Sequence, residues 1–307
     1  MKTKLYCLLV FLFLLSSAIF LGLGRTEDQI VPEKETTEDL DTQEKISSNT
    51  STDIPAFEVG DNWTYHRETE GNSSDSGYIY IEENITYTVS QIETYTYNGT
   101  EYYGYNVSVD GEIIEGEIEA YGFNIHSGEI DGYRFQRMSD LGTVVNYEWR
   151  KMEGNVTYQG DTYPATIWRE TLSHADPVVE NHDFPIELGG EFYANTTQRS
   201  RNYQRIKIGS FMDEEQTDYQ NTTSEKNVST SPTKKDVSVP AGDFTGFEMN
   251  STPPEDDSYF KYNYAPSAKN YVWSYSYSPS NNISTEEELL SYNVSNRTES
   301  LSISPKK

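Results

Sequence analysis

The residues best suited to metal or acid–base chemistry lie close together near the middle of the chain. His174 and Asp176 precede a connection that ends near His182 and Asp183. Imidazole nitrogens and carboxylate oxygens are common metal ligands, so this group is the first candidate for a metal site. Its spacing matches no standard zinc motif, and the prolines within the segment indicate an ordinary connection between strands. We therefore predict no metal site and no cofactor.

Two acidic clusters, Asp213–Glu215 and Glu255–Asp257, have the oxygen ligands that calcium prefers. A calcium loop of the helix–loop–helix type places its ligands at fixed positions over about 12 residues, with a glycine near the centre. Neither cluster lies in such a loop. We interpret both clusters as solvated loops.

Catalytic motifs are lacking in the sequence. The four histidines, His66, His126, His174 and His182, provide few groups for acid–base catalysis near neutral pH. There is no Gly-x-Ser-x-Gly elbow, no His-Glu-x-x-His pair and no phosphate-binding loop. With 50 acidic residues, no single pair of carboxylates is informative as a glycosidase pair. We predict that the protein is not an enzyme; a secreted hydrolase is the most distant alternative.

Composition narrows the remaining classes. The 307 residues have a formal net charge of −27, with 23 basic residues against 50 acidic ones, which excludes a general nucleic-acid binder. Aromatic residues make up 13% of the chain and favour strands and buried cores. We expect a folded β core with a very polar surface, which also fits a high-salt habitat. The one cysteine, Cys7, excludes disulfides from the rest of the chain.

The first 55 residues have the composition of an export leader followed by a linker. Lys2 and Lys4 precede an apolar run, so residues 1–24 are predicted to be a signal peptide or an uncleaved N-terminal membrane anchor. Residues 25–55 are acidic, rich in Ser and Thr, and are predicted to be a disordered linker. With the lysines inside, everything that follows lies outside the membrane. We predict an extracellular protein, secreted or held at the cell surface by its N-terminal segment.

N-glycosylation sequons are unusually dense. Fourteen of the 21 asparagines begin an Asn-x-Ser/Thr triplet, which predicts a glycoprotein rather than a chance crowding of turn residues. The acceptors are Asn49, Asn62, Asn72, Asn84, Asn98, Asn106, Asn155, Asn195, Asn221, Asn227, Asn250, Asn282, Asn293 and Asn296.

Strand alternation supports the glycan assignment. Successive side chains of a strand point to opposite faces. In Asn62–Tyr65 the aromatic residues share one phase and Asn62 takes the other. The same alternation places Asn84 and Asn106 opposite their apolar neighbours. We therefore expect the acceptors on the solvent side.

Residues 56–303 are predicted to form an all-β domain of antiparallel strands. Short alternating runs are separated by Gly, Asn and Pro, which is typical of a meander. Turn patterns recur around Asn98-Gly99, Gln159-Gly160 and Pro240–Gly242. Their repetition suggests two related β halves, residues 56–183 and 184–303. The best helix candidate in this domain is Ser284–Leu290, with Thr285 as its cap.

Scattered motifs also resemble a family of exported β proteins. They are Gly60–Tyr65, Val239–Phe244, Tyr264–Val272 and Glu288–Tyr292. This layout is similar to uncharacterised exported proteins that look like distant relatives of the lipoprotein-localisation-factor-like superfamily. The resemblance implies a curved antiparallel sheet, or half-open barrel, whose concave face takes an acyl chain. Tyr264-Ala265-Pro266 departs from the Tyr-Ser-Pro of that layout, and no helical lid is evident. The resemblance brings no catalytic residues.

Two non-enzymatic functions follow from these patterns. In the first, a concave face binds a lipid or other apolar ligand through inward residues such as Trp63, Tyr102, Phe244 and Trp273. In the second, side chains fill that space and the protein is a structural or adhesive envelope glycoprotein with exposed aromatics elsewhere. The sequence names no protein partner.

Overall fold

The computed structural model describes residues 51–73, 77–119, 122–158, 160–180, 182–210, 212–254, 257–280 and 282–295. Within these ranges every regular element is a β-strand, which confirms the predicted all-β class. None of these ranges contains a helix long and apolar enough to cross a membrane. The predicted leader, residues 25–50 of the predicted linker, Asn49 and Asn296 lie outside them.

The described ranges contain fifteen strands. They are β1 (Ser51–Thr52), β2 (Asn62–Ser73), β3 (Gly77–Tyr97), β4 (Thr100–Ile118), β5 (Phe123–Arg137), β6 (Thr143–Tyr158), β7 (Asp161–Asp176), β8 (Ile186–Glu187), β9 (Glu191–Ile208), β10 (Met212–Thr230), β11 (Lys235–Val239), β12 (Gly242–Thr252), β13 (Tyr259–Ala265), β14 (Asn270–Ser278) and β15 (Ile283–Asn293).

Thirteen of these strands form one antiparallel sheet that closes on itself, and β1 and β8 form a separate two-stranded sheet. The order of the larger sheet is β10-β9-β7-β6-β5-β4-β3-β2-β15-β14-β13-β12-β11, and β10 also pairs with β12. That last pairing, from Asn227↔Thr252 to Thr230↔Met249, completes a twelve-stranded barrel and leaves β11 outside the ring. The barrel is therefore closed further than the half-open form that the family resemblance implied.

The three predicted turns are confirmed as two-residue hairpins. Their closing pairs are Tyr97↔Thr100, Tyr158↔Asp161 and Val239↔Gly242. Asn98 and Gly99 both have positive φ, which matches the twist of the flanking strands. A two-residue hairpin depends only on the few residues at its turn, so it can be predicted from a single sequence.

The predicted helix Ser284–Leu290 is wrong, because this segment lies within β15. β15 pairs with β14 on one edge and with β2 on the other. Glu287 and Leu289 are both buried, so the segment has the two-residue period of a strand. Pairing on both edges and burial of alternate side chains outweigh the helix preference of its Glu and Leu residues.

Several strands are far longer than the usual 3–10 residues and must bend. β3 alone spans 21 residues. Glycines allow neighbouring strands to approach where the sheet curves. A Cβ on Gly132 would lie 2.2 Å from the Tyr147 carbonyl oxygen, and one on Gly154 would lie 2.0 Å from that of Asn124. Tight coiling of β5 and β6 thus depends on residues without a side chain.

Two further features concern the predicted domain boundaries. Ser51 and Thr52, at the end of the predicted linker, pair with Glu187 and Ile186. Strands from the two predicted halves join one continuous sheet, through β7 with β9 and through β2 with β15. The relation between the halves by duplication stays a prediction.

Candidate functional site

A charged side chain lies on the inward face of β2. Trp63 and Tyr65 are buried, and Arg67 follows in the same alternation. The pairing of β2 with β3 and β15 brings two glutamates, Glu83 and Glu287, to this arginine. Both carboxylates are buried, so the barrel contains charge where an apolar core is usual.

The resulting network contains two arginines and three glutamates. Arg67 donates to Glu287 Oε1 at 2.6 Å from Nε and to Glu83 Oε1 at 2.9 Å from Nη1. Arg150 donates to Glu83 Oε2 at 2.6 Å from Nη1 and to Glu148 Oε1 at 2.5 Å from Nε. Each guanidinium bridges two carboxylates, so the network joins strands from opposite ends of the sequence.

The network keeps two of its carboxylates ionised. Burial alone raises the pKa of a carboxyl group, but the adjacent Arg67 lowers the pKa of Glu287 below its ordinary value. Arg150 does the same for the pKa of Glu148. These charges are therefore held in place by their partners rather than by water.

Two tyrosines connect the network to a neighbouring cavity. The Tyr271 hydroxyl donates to Glu287 Oε2 at 3.0 Å, and the Ser274 hydroxyl donates to the same oxygen at 3.1 Å. The Tyr271 ring stacks on Tyr65 with centroids 4.8 Å apart, and Tyr65 donates its hydroxyl to the Tyr271 carbonyl oxygen. The Tyr271 hydroxyl group thus belongs to the ion network, while the same side chain forms part of the cavity wall.

The cavity has a volume of about 260 Å³ and lies between β5, β10, β13 and the β7–β9 connection. Its wall combines aromatic rings with cationic and amide groups. The lining residues are Phe57, Trp63, Tyr87, Val107, Arg134, Gln136, Leu141, His182, Lys226, Ser251, Phe260, Tyr262, Tyr264, Lys269, Asn270 and Tyr271. No aspartate or glutamate is among them.

Trp63 and Lys269 are fixed at one end of the cavity. Trp63 Nε1 donates to the Ala268 carbonyl oxygen at 2.6 Å, and its ring meets Phe57 edge-on. Lys269 Nζ donates to the Ala56 carbonyl oxygen at 2.7 Å and lies 3.4 Å from Asp61 Oδ2. This lysine therefore binds the segment that precedes β2.

His182 enters the cavity from the β7–β9 connection. Its Nδ1 lies 3.0 Å from the Tyr262 hydroxyl, and its ring contacts Phe184 and Tyr264. Burial, together with the nearby positive charge of Lys226, lowers the pKa of His182 to about 3. The imidazole is therefore neutral at physiological pH.

Two cations in the cavity wall differ from the rest because no described residue pairs with them. Arg134 lies over the Tyr87 ring at 4.1 Å, and its buried Nε has no hydrogen-bond partner. Lys226, on β10, forms no ion pair within 4 Å in the described part of the chain. Burial lowers the pKa of Lys226, as expected for an ammonium group removed from water.

The predicted ligand-binding residues are distributed over the molecule. Trp63 lines the cavity. Tyr102 packs against a separate cluster of Phe135, Val144 and Val145. Phe244 is buried beside Tyr292.

Trp273 occupies yet another surface. Its Nε1 donates to Glu286 Oε1, and its ring stacks on Tyr275. The structure therefore brings only Trp63 of the four predicted residues to the cavity.

Sequence reasoning missed Arg134 and Lys226. Arg134 lies between Tyr133 and Phe135, and strand alternation alone would place such a charged residue on the polar face. Lys226 gives no signal either, because its neighbours are polar. Only closure of the barrel brings Lys226 to the other residues that line the cavity.

The described residues contain no group of three or more metal-ligating side chains, and the candidate histidines have different surroundings. His174 Nε2 lies 3.0 Å from the Tyr95 hydroxyl, and its ring stacks on Tyr97 at 4.3 Å. His182 instead contacts Tyr262 and Phe184.

Sequon asparagines lie at accessible positions in the part of the chain that the structure describes. The seven exposed acceptors are Asn72, Asn98, Asn195, Asn221, Asn227, Asn282 and Asn293. The five half-buried acceptors are Asn62, Asn84, Asn106, Asn155 and Asn250. Solvent access is a requirement for glycosylation, and its occurrence stays a prediction.

Comparisons with known proteins identify no family. No family model matches the chain, and no curated protein matches it. Among solved structures it is similar to a Bacteroides fragilis protein to which export and a YmcC-like fold are ascribed. The identity is 15%, the match covers 79% of this chain and 99% of that one, and the TM-score is 0.26. A score this low supports no transfer of function.

Removal of the shared acceptor tests the ion network. In Glu83→Gln, Arg67 and Arg150 face a neutral amide in a buried site, so we expect the free energy of unfolding to fall by about 3–5 kcal/mol. The matched control is Glu153→Gln, whose partner Lys151 lies at the surface. Urea denaturation measures the free energy of unfolding of both variants. Equally small losses in Glu83→Gln and Glu153→Gln would contradict a buried network.

Acid provides an independent test. Because the pKa of Glu287 is lowered in the folded state, its ion pair contributes fully above the ordinary glutamate pKa of about 4.3 and is lost as pH falls through the lowered value. The difference in unfolding free energy between wild type and Glu287→Gln should therefore narrow below about pH 4.3. A difference that stays constant from pH 6 to pH 2.5 would contradict the prediction.

Proposed function

We propose that this chain is an exported, N-glycosylated cell-surface protein whose barrel binds a lipid or other apolar ligand without catalysis. The observation that supports the proposal is the cavity of about 260 Å³ among Trp63, Tyr87, Tyr262 and Tyr271. Ligand sites are usually concave and mainly apolar, with a few polar groups that orient the ligand. This wall shares the aromatic surface but is more polar, because seven of its sixteen lining residues are charged or neutral polar side chains.

The size of the cavity favours a small ligand or one segment of a longer chain. Ligand pockets typically have volumes of about 300–1,000 Å³, and this cavity lies just below that range. Phe260, at its edge, is 38% exposed. An apolar chain could therefore extend past Phe260 beyond the enclosed volume.

Export and glycosylation rest on the sequence and on accessibility. The basic and apolar leader directs the chain outward, and every described sequon asparagine is at least partly exposed. A glycosylated acidic surface keeps such a protein soluble outside the cell.

A structural or adhesive role is the second candidate, and an aromatic stripe on another surface favours it. Tyr259 lies 5.8 Å from Tyr275 and 5.9 Å from Tyr277, and Trp273 stacks on Tyr275 at 6.5 Å. Tyr259 is 39% exposed. Partly exposed aromatics of this kind are common in protein contact surfaces.

A neutral fluorescent probe distinguishes the two candidates. N-phenyl-1-naphthylamine should bind the wild-type protein with increased fluorescence, and Gln136→Trp should abolish the increase because the larger ring fills the cavity. Gln198→Trp, at an exposed position of β9, is the matched control. Urea denaturation checks that both variants fold.

The outcomes are clear for both candidates. Loss in Gln136→Trp with retention in Gln198→Trp supports a binding cavity. Absence of probe binding to the wild type, or equal binding to all three proteins, would contradict it and favour the adhesive role.

Glycosylation has its own test. Glycopeptides from the protein purified from its own cells should carry glycan at the exposed acceptors Asn98, Asn195 and Asn227. Asn124 and Asn202, which begin no sequon, serve as internal controls and should be unmodified. Bare asparagine at all sequon positions would contradict the assignment.

A further inference from the structure

The cavity has a charge opposite to that of the protein as a whole. The chain has 50 acidic and 23 basic residues, yet Arg134, Lys226 and Lys269 line the cavity and no carboxylate does. A random sample of side chains from this composition would favour acids about two to one. The excess of cations therefore indicates a local requirement for positive potential.

Two of these cations are unpaired in a place where pairing is expected. Buried charges are normally matched by an opposite charge or by hydrogen bonds, because removing them from water is costly. Lys269 follows this rule through Asp61 and the Ala56 carbonyl group. Arg134 and Lys226 have no hydrogen bond or ion pair with any described residue.

Neighbouring carboxylates do not replace the missing partners. Glu287 acts on Arg134 through space, but its oxygens already accept from Arg67, Tyr271 and Ser274. Glu180 acts on Lys226 in the same indirect way. Neither carboxylate lines the cavity, so both cations remain available to a ligand inside it.

Other titratable groups in the wall do not compete for an anion. His182 stays neutral because burial and Lys226 lower its pKa to about 3. Burial raises the pKa of Tyr262 and Tyr264, so both phenols stay neutral. Three cations thus line the space, two of them unpaired, and none of the lining residues is an anion that would repel a negative ligand.

We infer that the ligand of this cavity is an amphipathic anion, with a carboxylate or phosphate head held by Arg134 and Lys226 and an apolar body against the aromatic wall. Arginine matches such heads in a bidentate geometry, and lysine acts as a point charge. The inference rests on the proposed function, which requires a ligand in the cavity, and adds the chemical class of its head.

Calorimetric titration with decanoate and decanol tests the inference, because the two share a chain and differ in head charge. Charge-assisted hydrogen bonds should make decanoate bind at least about tenfold more tightly than decanol. Arg134→Gln and Lys226→Met should each remove most of this preference. Lys207→Gln, at an exposed position of β9, is the matched control and should retain it.

The outcomes separate this inference from the proposed function. Equal binding of decanoate and decanol to the wild type would overturn the anionic head while leaving an apolar ligand in place. If the wild type does not bind decanoate, the inference is overturned. If it binds neither decanoate nor the neutral naphthylamine probe, the proposed function is overturned as well. If Arg134→Gln fails to fold, Lys226→Met alone tests the anionic head. A preference for decanoate over decanol that is retained in Lys226→Met would contradict the inference.

Discussion

The architecture depends on how Arg67 satisfies two buried glutamates at once. Glu83 comes from the strand that follows β2 in sequence, whereas Glu287 comes from the last strand of the barrel. A buried charge without its partner costs several kcal/mol, so strands β15, β2 and β3 can adopt few other registers. Arg150 extends the same constraint to β6 through Glu83. Charge pairing thus fixes the register of a sheet whose long strands could otherwise slip.

The same constraint determines the shape of the cavity. Tyr271 binds Glu287 through its hydroxyl group and stacks on Tyr65 through its ring. The ion network therefore holds one aromatic part of the wall in place, while His182 and Tyr262 form another part. Within the described residues Arg67 and Arg150 each pair with two carboxylates, whereas Arg134 and Lys226 have no ion pair. This contrast separates charges that stabilise the fold from charges that are available to a ligand.

Local patterns predicted the strands and turns, because hairpins such as Tyr97–Thr100 and Val239–Gly242 depend on a few neighbouring residues. Face assignments were harder. The pairing of β13 with β14 shifts between Asn263 and Tyr264, whose partners are Trp273 and Tyr271, so the side of the sheet cannot be counted from one end of β14. Trp273 consequently lies on the aromatic stripe and not in the cavity. Lys226 and Arg134 meet one space only because β10 pairs with β12, and no single strand encodes that closure.

Native mass spectrometry of the protein purified from its own cells tests whether the barrel carries an amphipathic anion. We expect an extra noncovalent mass that leaves with organic solvent and that, once extracted, proves to be an acidic molecule with an apolar body. Lys226→Met protein prepared in the same way should retain less of it than Lys207→Gln protein. A wild-type protein that carries only covalent mass after gentle purification, or that carries a neutral or cationic molecule, would contradict a bound amphipathic anion.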